Sequence, residues 1–347
     1  MRVQVDPAKF EACPPYNEWL DDAYAEERGE LNFLGFKPRP SEVLFRMSPI
    51  TYEAAFADFQ REREEDLKNK VFEEFPSPIA HYFYRFETGY ENELQRLHFL
   101  RDTWESIVDV IHAITVAECR HRGVTLSGPT RISDLLTDSV AQRLINIERL
   151  MKHAADAGNP LKISKFVPVA TLQKMRDLNQ SRNGFSHSAA QSEAQARTWI
   201  SECYDDVIDV LDDIKSLAEI DVYRYLGQVD GQTLRCEFFY GHGFTRTIKS
   251  VSLSAAQVAA SQRFFQLGQM LVACDGDLFG LRPLVLFKED AAGHATKLCL
   301  FRRTHGDPPN RKVEYEIVGE AIRHNENRTV VQAEINEIRA LFGLPPE

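Results

Sequence analysis

Arg182, Asn183 and His187 stand in the stretch SRNGFSHS, from Ser181 to Ser188, inside a segment whose apolar spacing otherwise predicts helix. A guanidinium offers a planar fork to phosphate oxygens, and an imidazole can move a proton near neutral pH. Together they suit phosphodiester chemistry. RNA needs no metal for cleavage when its own 2′-hydroxyl is deprotonated to attack the adjacent phosphate. The protein then supplies only charge stabilisation and proton transfer. Chance limits how much the spacing means. An R-x-x-x-x-H pair arises roughly 0.6 times in a chain of this length, and requiring Asn directly after Arg lowers that to about 0.02. Asn183 therefore carries most of the weight.

The surroundings favour an anion locally. The whole chain has a formal net charge of −11, which argues against a surface coated in nucleic acid. From Leu161 to Arg182, however, Lys162, Lys165, Lys174, Arg176 and Arg182 face only Asp177. Lys162, Lys165, Lys174 and Arg176 are thus the candidate RNA contacts. From Ser201 to Asp221 the balance reverses, with Lys215 alone among Glu202, Asp205, Asp206, Asp209, Asp212, Asp213, Glu219 and Asp221.

At 100° per residue, Arg182 falls on the side of Leu178 and Phe185, within the apolar stripe, while His187 lies about 140° around the helix from it. Asn183 and His187, four apart, are neighbours. An arginine on an apolar stripe is costly to bury alone. Either a carboxylate meets it, or that stripe faces a groove or a second subunit. Gly184 sits in the middle of the run, where a helix former is expected.

The elements that must position these groups can be read from periodicity. The chain has 347 residues, enough for two domains or one large one. Residues 1–75 read as an N-terminal helical extension with early prolines and a charged helix near Thr51–Glu74, whose REREED run is a solvated face. FPSPIA, Phe75 to Ala80, breaks that helix. Leu97, Leu100, Trp104, Ile107, Ile111 and Ile114 then recur at three- and four-residue spacing, laying one stripe along a long helix. Further helices are expected at about Ile132–Ala155, from Val167, and at Glu193–Leu217. Residues 76–218 therefore read as a helical bundle. After Ile220 the pattern changes to short β-rich runs separated by turn signals such as Asp230-Gly231 and Asp275-Gly276. Residues 219–347 read as a smaller, mainly antiparallel β domain with a terminal helix near Thr329–Phe342, because its connections are too short for most parallel crossovers. The fold class expected is α+β.

Several chemistries are excluded by pattern. The chain lacks G-x-x-x-x-G-K-[ST], H-E-x-x-H and G-x-S-x-G, and Gly241-His242-Gly243 lacks the third glycine of a dinucleotide fingerprint. The six cysteines are scattered singly, without zinc spacing, and read as reduced buried thiols. No cofactor and no metal is indicated. The N-terminal stretch lacks a signal-peptide core, and no window is apolar enough for a membrane span, so a cytoplasmic protein is expected. Phe238, Phe239, Tyr240 and Phe244, with Arg235 and Arg246 nearby, could form a stacking platform for single-stranded RNA, of the oligonucleotide-binding-barrel type. Strands favour aromatics for packing, and core is the stronger reading.

The helical bundle carrying R-N-x-x-x-H on a late helix resembles the HEPN superfamily (higher eukaryotes and prokaryotes nucleotide-binding) over about Pro76 to Leu217. FPSPIA, LQKMRDLNQSRNGFSH and LFGLRPLVLF together also look like a bacterial branch that joins the bundle to a C-terminal β-rich segment. The resemblance implies a metal-independent endoribonuclease, a hydrolase-class nuclease often used as a toxin or in antiviral defence. It implies His187 as general acid or base, Arg182 on the scissile phosphate, and Asn183 orienting His187 or touching the phosphate. It also implies a homodimer in which two copies of the motif share one cleft, a geometry that would let groups diverging on one helix converge across a two-fold axis. Restraint by a neutralising or activating partner or ligand is expected, since an unrestrained ribonuclease is toxic. Two other readings stand beside it: a non-catalytic RNA- or nucleotide-binding module, and a protein-interaction adaptor that docks through its acidic helices.

Overall fold

The computed structural model describes residues 13–29, 31–32, 37–124, 139–187, 192–289, 296–306, 311–320 and 322–346; at 181–187, 289 and 296 it describes the backbone alone. The fold is α+β, with helices followed by antiparallel sheets and a terminal helix. Two compact units divide the chain, residues 1–69 and 70–347. The part of the expected second helix before Ser139 lies outside the described residues.

In the first unit, α1 (Pro14–Arg28), α2 (Pro40–Met47) and the first part of α3 (Pro49–Glu74) enclose a small aromatic core. Tyr52, Phe56 and Phe59 follow helical spacing and bury against Tyr16 and Leu20. Polar ends of these rings are satisfied in place: Tyr16 donates to the carbonyl of Tyr52, and Tyr52 donates to the side chain of Asn17. The REREED run leaves Arg61 exposed, as expected of a solvated face.

The second unit begins at Lys70, inside α3, and prolines interrupt the helix a turn later. α3 stops at Glu74, Pro76 occupies the cap of α4 (Ser77–Thr88), and Pro78 fills its first turn, where no amide donor is needed. α5 (Glu93–Arg122) starts at Asn92, whose side chain accepts from the Gln95 amide, and ends at Gly123 in the left-handed conformation, φ 63°. From Trp104 to Arg120 this helix is buried on nearly every side, because other elements pack around it. α4, α6 (Val140–Asp156) and α8 (Glu193–Asp213) touch α5, and α7 (Val169–His187) packs on both α6 and α8. α5 to α8 thus close a ring of four helices.

Two antiparallel sheets follow. One has the order β3-β2-β1-β4-β5, formed by β1 (Asp221–Gln228), β2 (Thr233–Tyr240), β3 (Thr245–Ser252), β4 (Met270–Cys274) and β5 (Asp277–Gly280). A short α9 (Ala255–Ser261) lies between β3 and β4. The other sheet has the order β6-β7-β8-β9, from β6 (Val285–Glu289), β7 (Thr296–His305), β8 (Lys312–Ile317) and β9 (Arg323–Asn327); α10 (Gln332–Leu341) closes the chain. The sequence pattern misses β5, only four residues long, and β9, whose RHNEN has no apolar alternation. Positive φ at Asp275 and Gly276 makes the tight β4–β5 turn. Gly241, φ 71°, turns β2 into β3; a Cβ there would meet the carbonyl oxygens of Phe72 and Glu73 at 3.0 Å. Glycine is required because its amide and that of His242 bond the end of α3, at Phe75 and Phe72.

All six cysteines are buried and unpaired. Among the described residues no helix is long and apolar enough to cross a membrane.

Candidate functional site

The R-N-x-x-x-H run lies in the last turns of α7, which continues unbroken through Gly184 to His187. The side chains of residues 181–187 lie outside the described residues, so their placement rests on the helix register. Thr171, Leu172, Met175, Leu178 and Asn179 form the buried face of α7. By register Arg182 continues the middle of that face, Asn183 its edge, and His187 the flank shared with half-buried Arg176 and exposed Gln180. The stripe expected from sequence is therefore present up to Asn179.

The four candidate RNA-binding cations are each held by a carboxylate. Lys162 pairs with Asp277 at 2.9 Å and donates to the carbonyl of Asp275 at 2.8 Å. Lys165 pairs with Asp275 at 2.5 Å. The lysine holds the Asp275 carboxyl below the usual range. Lys174 reaches Asp213 on α8 at 2.6 Å, and Arg176 reaches Glu148 on α6 at 2.5 Å. The local excess of positive charge in the sequence is thus met by partners far along the chain. Lys165 is 65% exposed and Lys174 40%, so these pairs are weak enough for a phosphate to exchange with.

The turn bearing Lys162 and Lys165 is fixed by Glu118 of α5. Its fully buried carboxylate accepts the Lys162 amide at 2.6 Å and the Ile163 amide at 3.1 Å, and pairs with Arg122 at 3.0 Å. Lys174 and Thr171 share Asp213, tying α7 to α8. Along α8, burial and the neighbouring Asp209, Asp205 and Asp177 push the Asp206 carboxyl up.

A buried charge cluster joins this helical ring to the second sheet, and sequence reading did not find it. Asp109 of α5 accepts from Arg143 of α6 and, at 2.5 Å, from Arg302 of β7. Arg143 also donates to the carbonyls of Phe301 at 2.9 Å and Arg302 at 3.2 Å; Arg302 reaches Glu316 of β8 at 2.8 Å. Asp109, Arg143 and Arg302 are 5%, 2% and 6% exposed. Burial, with the nearby Arg302 charge, brings the Arg143 guanidinium down to about 9. The available signal lay on α6, where Arg143 stands inside the apolar stripe beside Leu144 and Ile147; Asp109 lies on the side of α5 away from the Ile107 and Ile111 stripe, flanked in sequence by Val108 and Val110, and gave none.

His112, one turn further along α5, is buried and its Nε2 has no hydrogen-bond partner among the described residues. Burial lowers its pKa to about 4, against about 6.5 for an exposed imidazole. The unfolded chain therefore binds a proton between these values that the folded chain refuses. The His112 contribution to stability should be fully present above pH 6.5 and fall by roughly 3 kcal/mol as the pH drops to 4. In urea titrations across that range, a His112→Leu variant should lose less stability than wild type; parallel losses would refute the assignment.

The aromatic cluster of the first sheet divides between the two roles. Phe239 is core, packed on Phe287 at 5.0 Å. Phe238 and Tyr240 are half-buried and stack at 4.8 Å, with Lys249 Nζ 3.7 Å from the Phe238 centroid. Phe244 turns at φ 50° and rests on His81 at 5.0 Å.

No family model, curated protein or solved structure matches this chain.

Proposed function

We propose that the chain is a metal-independent endoribonuclease of HEPN type, acting in the cytoplasm as a toxin or antiviral effector. One observation supports this reading more than any other. A single continuous helix, packed within a ring of four, carries Arg182, Asn183 and His187 in its last turns, with Gly184 leaving the helix unbroken. The chemistry then needs no group outside the RNA and these side chains. A base removes the proton of the 2′-hydroxyl, the oxygen attacks the adjacent phosphorus, and the 5′-oxygen leaves with a proton. The products are a 2′,3′-cyclic phosphate and a 5′-hydroxyl. His187 moves the proton, Arg182 balances charge on the phosphoryl oxygens, and Asn183 orients the imidazole or the phosphate.

The test is incubation of purified protein with RNA in excess EDTA, followed by analysis of product ends. Cyclic phosphate ends support the reading; intact RNA, or ends bearing 5′-phosphate, would overturn it. Binding of RNA without cleavage, weakening with salt, would support the non-catalytic module instead.

Arg182 and His187 diverge by about 140° on one helix, so the proposed cleft is built from two copies of α7 across a two-fold axis. Mass measurement in solution should give a dimer under assay conditions, and a fully active monomer would refute the shared cleft. A ribonuclease of this kind requires restraint by a partner or ligand. Expression of the chain alone should arrest growth, and expression of a His187→Ala variant should not.

A further inference from the structure

A cleft of roughly 340 Å³ opens between α4, the first turns of α5 and the β8–β9 turn, on elements other than α7. That volume is in the range of small-molecule sites. Its floor is rigidly built. Tyr82, 5% exposed, donates to Glu316 at 2.9 Å and accepts the Gly319 amide at 3.2 Å. Gly319 has φ 81°, and a Cβ there would sit 2.7 Å from His81 Nε2, so only glycine lets this turn seat against α4. His81 is in turn anchored through Nδ1 to the carbonyl of His242 at 3.2 Å.

The charges lining the cleft are matched with one exception. Asp102 is taken by Arg101 at 2.7 Å, Glu316 by Arg302 at 2.8 Å, and Glu320 by Lys297 at 2.8 Å. Arg323 pairs with Glu314. Arg85 meets no carboxylate among the described residues. Its Nε donates to the Gly89 carbonyl at 3.3 Å, and its guanidinium lies over the Phe99 ring at 4.6 Å. Beside it stand Phe99 and Ile322, the latter 59% exposed. A half-buried guanidinium already held flat, with apolar surface on one side, suits an oxyanion whose remainder is apolar.

We infer that this cleft binds a small organic oxyanion, with its phosphate or carboxylate head on Arg85 and its apolar body against Phe99 and Ile322. The inference is independent of the ribonuclease reading, since none of these residues belongs to α7. Calorimetric titration with phenyl phosphate, benzoate and inorganic phosphate tests it on the full-length chain. Saturable binding of phenyl phosphate or benzoate is expected, at least tenfold tighter than inorganic phosphate, and whichever binds identifies the head group. Arg85→Gln should weaken that binding at least tenfold. Ile322→Asp, a change at an exposed position that leaves the core untouched, should do the same. No saturable binding, equal affinity for inorganic phosphate, or unchanged binding by both variants would overturn the inference.

Discussion

Replacing His187 by alanine is expected to lower EDTA-resistant RNA cleavage by roughly 10² to 10⁴, the range supplied by a positioned general acid or base. Arg182→Ala should cost a comparable factor, because a guanidinium on the phosphoryl oxygens stabilises charge that develops in the transition state. Both losses should appear in kcat rather than in RNA affinity. A residue that only bound RNA would shift KM and leave kcat in place. Far-ultraviolet circular dichroism of both variants should match wild type, since the motif occupies the final turns of α7 and leaves Leu172, Met175 and Leu178 in the core. If the cleft is shared, mixing inactive His187→Ala with inactive Arg182→Ala protein should restore part of the activity, because one composite site then holds an intact pair. Cleavage by all three proteins at one rate would end the ribonuclease assignment.

The second large effect concerns stability. Asp109→Ala should destabilise the 70–347 unit by about 3–5 kcal/mol, the cost of stranding buried charge when one partner of a buried pair is removed. Two guanidinium groups, Arg143 and Arg302, would lose their common carboxylate in a region with almost no water access. Glu316 still reaches Arg302, so the loss of the common carboxylate falls chiefly on Arg143. Asp109→Ala combined with Arg143→Met should therefore recover much of the loss, as an apolar replacement of the pair restores balance. Urea unfolding measures both. A single-variant loss below about 1 kcal/mol would mean that the cluster contributes little.

These two expectations differ in how far the sequence announces them. Arg182, Asn183 and His187 lie within six residues, so their spacing on a helix is visible without any tertiary information. The same holds for the α5 stripe, the break at Pro76, and the β-rich runs after Ile220, all of which the structure bears out. The prolines and the apolar period act locally, on backbone angles and on which face can be buried, so they can be read directly. β5 and β9 were missed for the converse reason. One is too short to show a period, and the other is an edge strand held by backbone bonds to β8 rather than by an apolar face.

What sequence alone determined here is the α+β order of elements and the chemical character of one helix end. Tertiary structure alone decided which charges meet. Asp109 finds Arg302, Lys165 finds Asp275, and Lys174 finds Asp213, while Arg85 is left in a cleft with no carboxylate partner among the described residues. An ion pair depends on a few ångströms of separation and on the loss of surrounding water, and both arise only when distant segments pack.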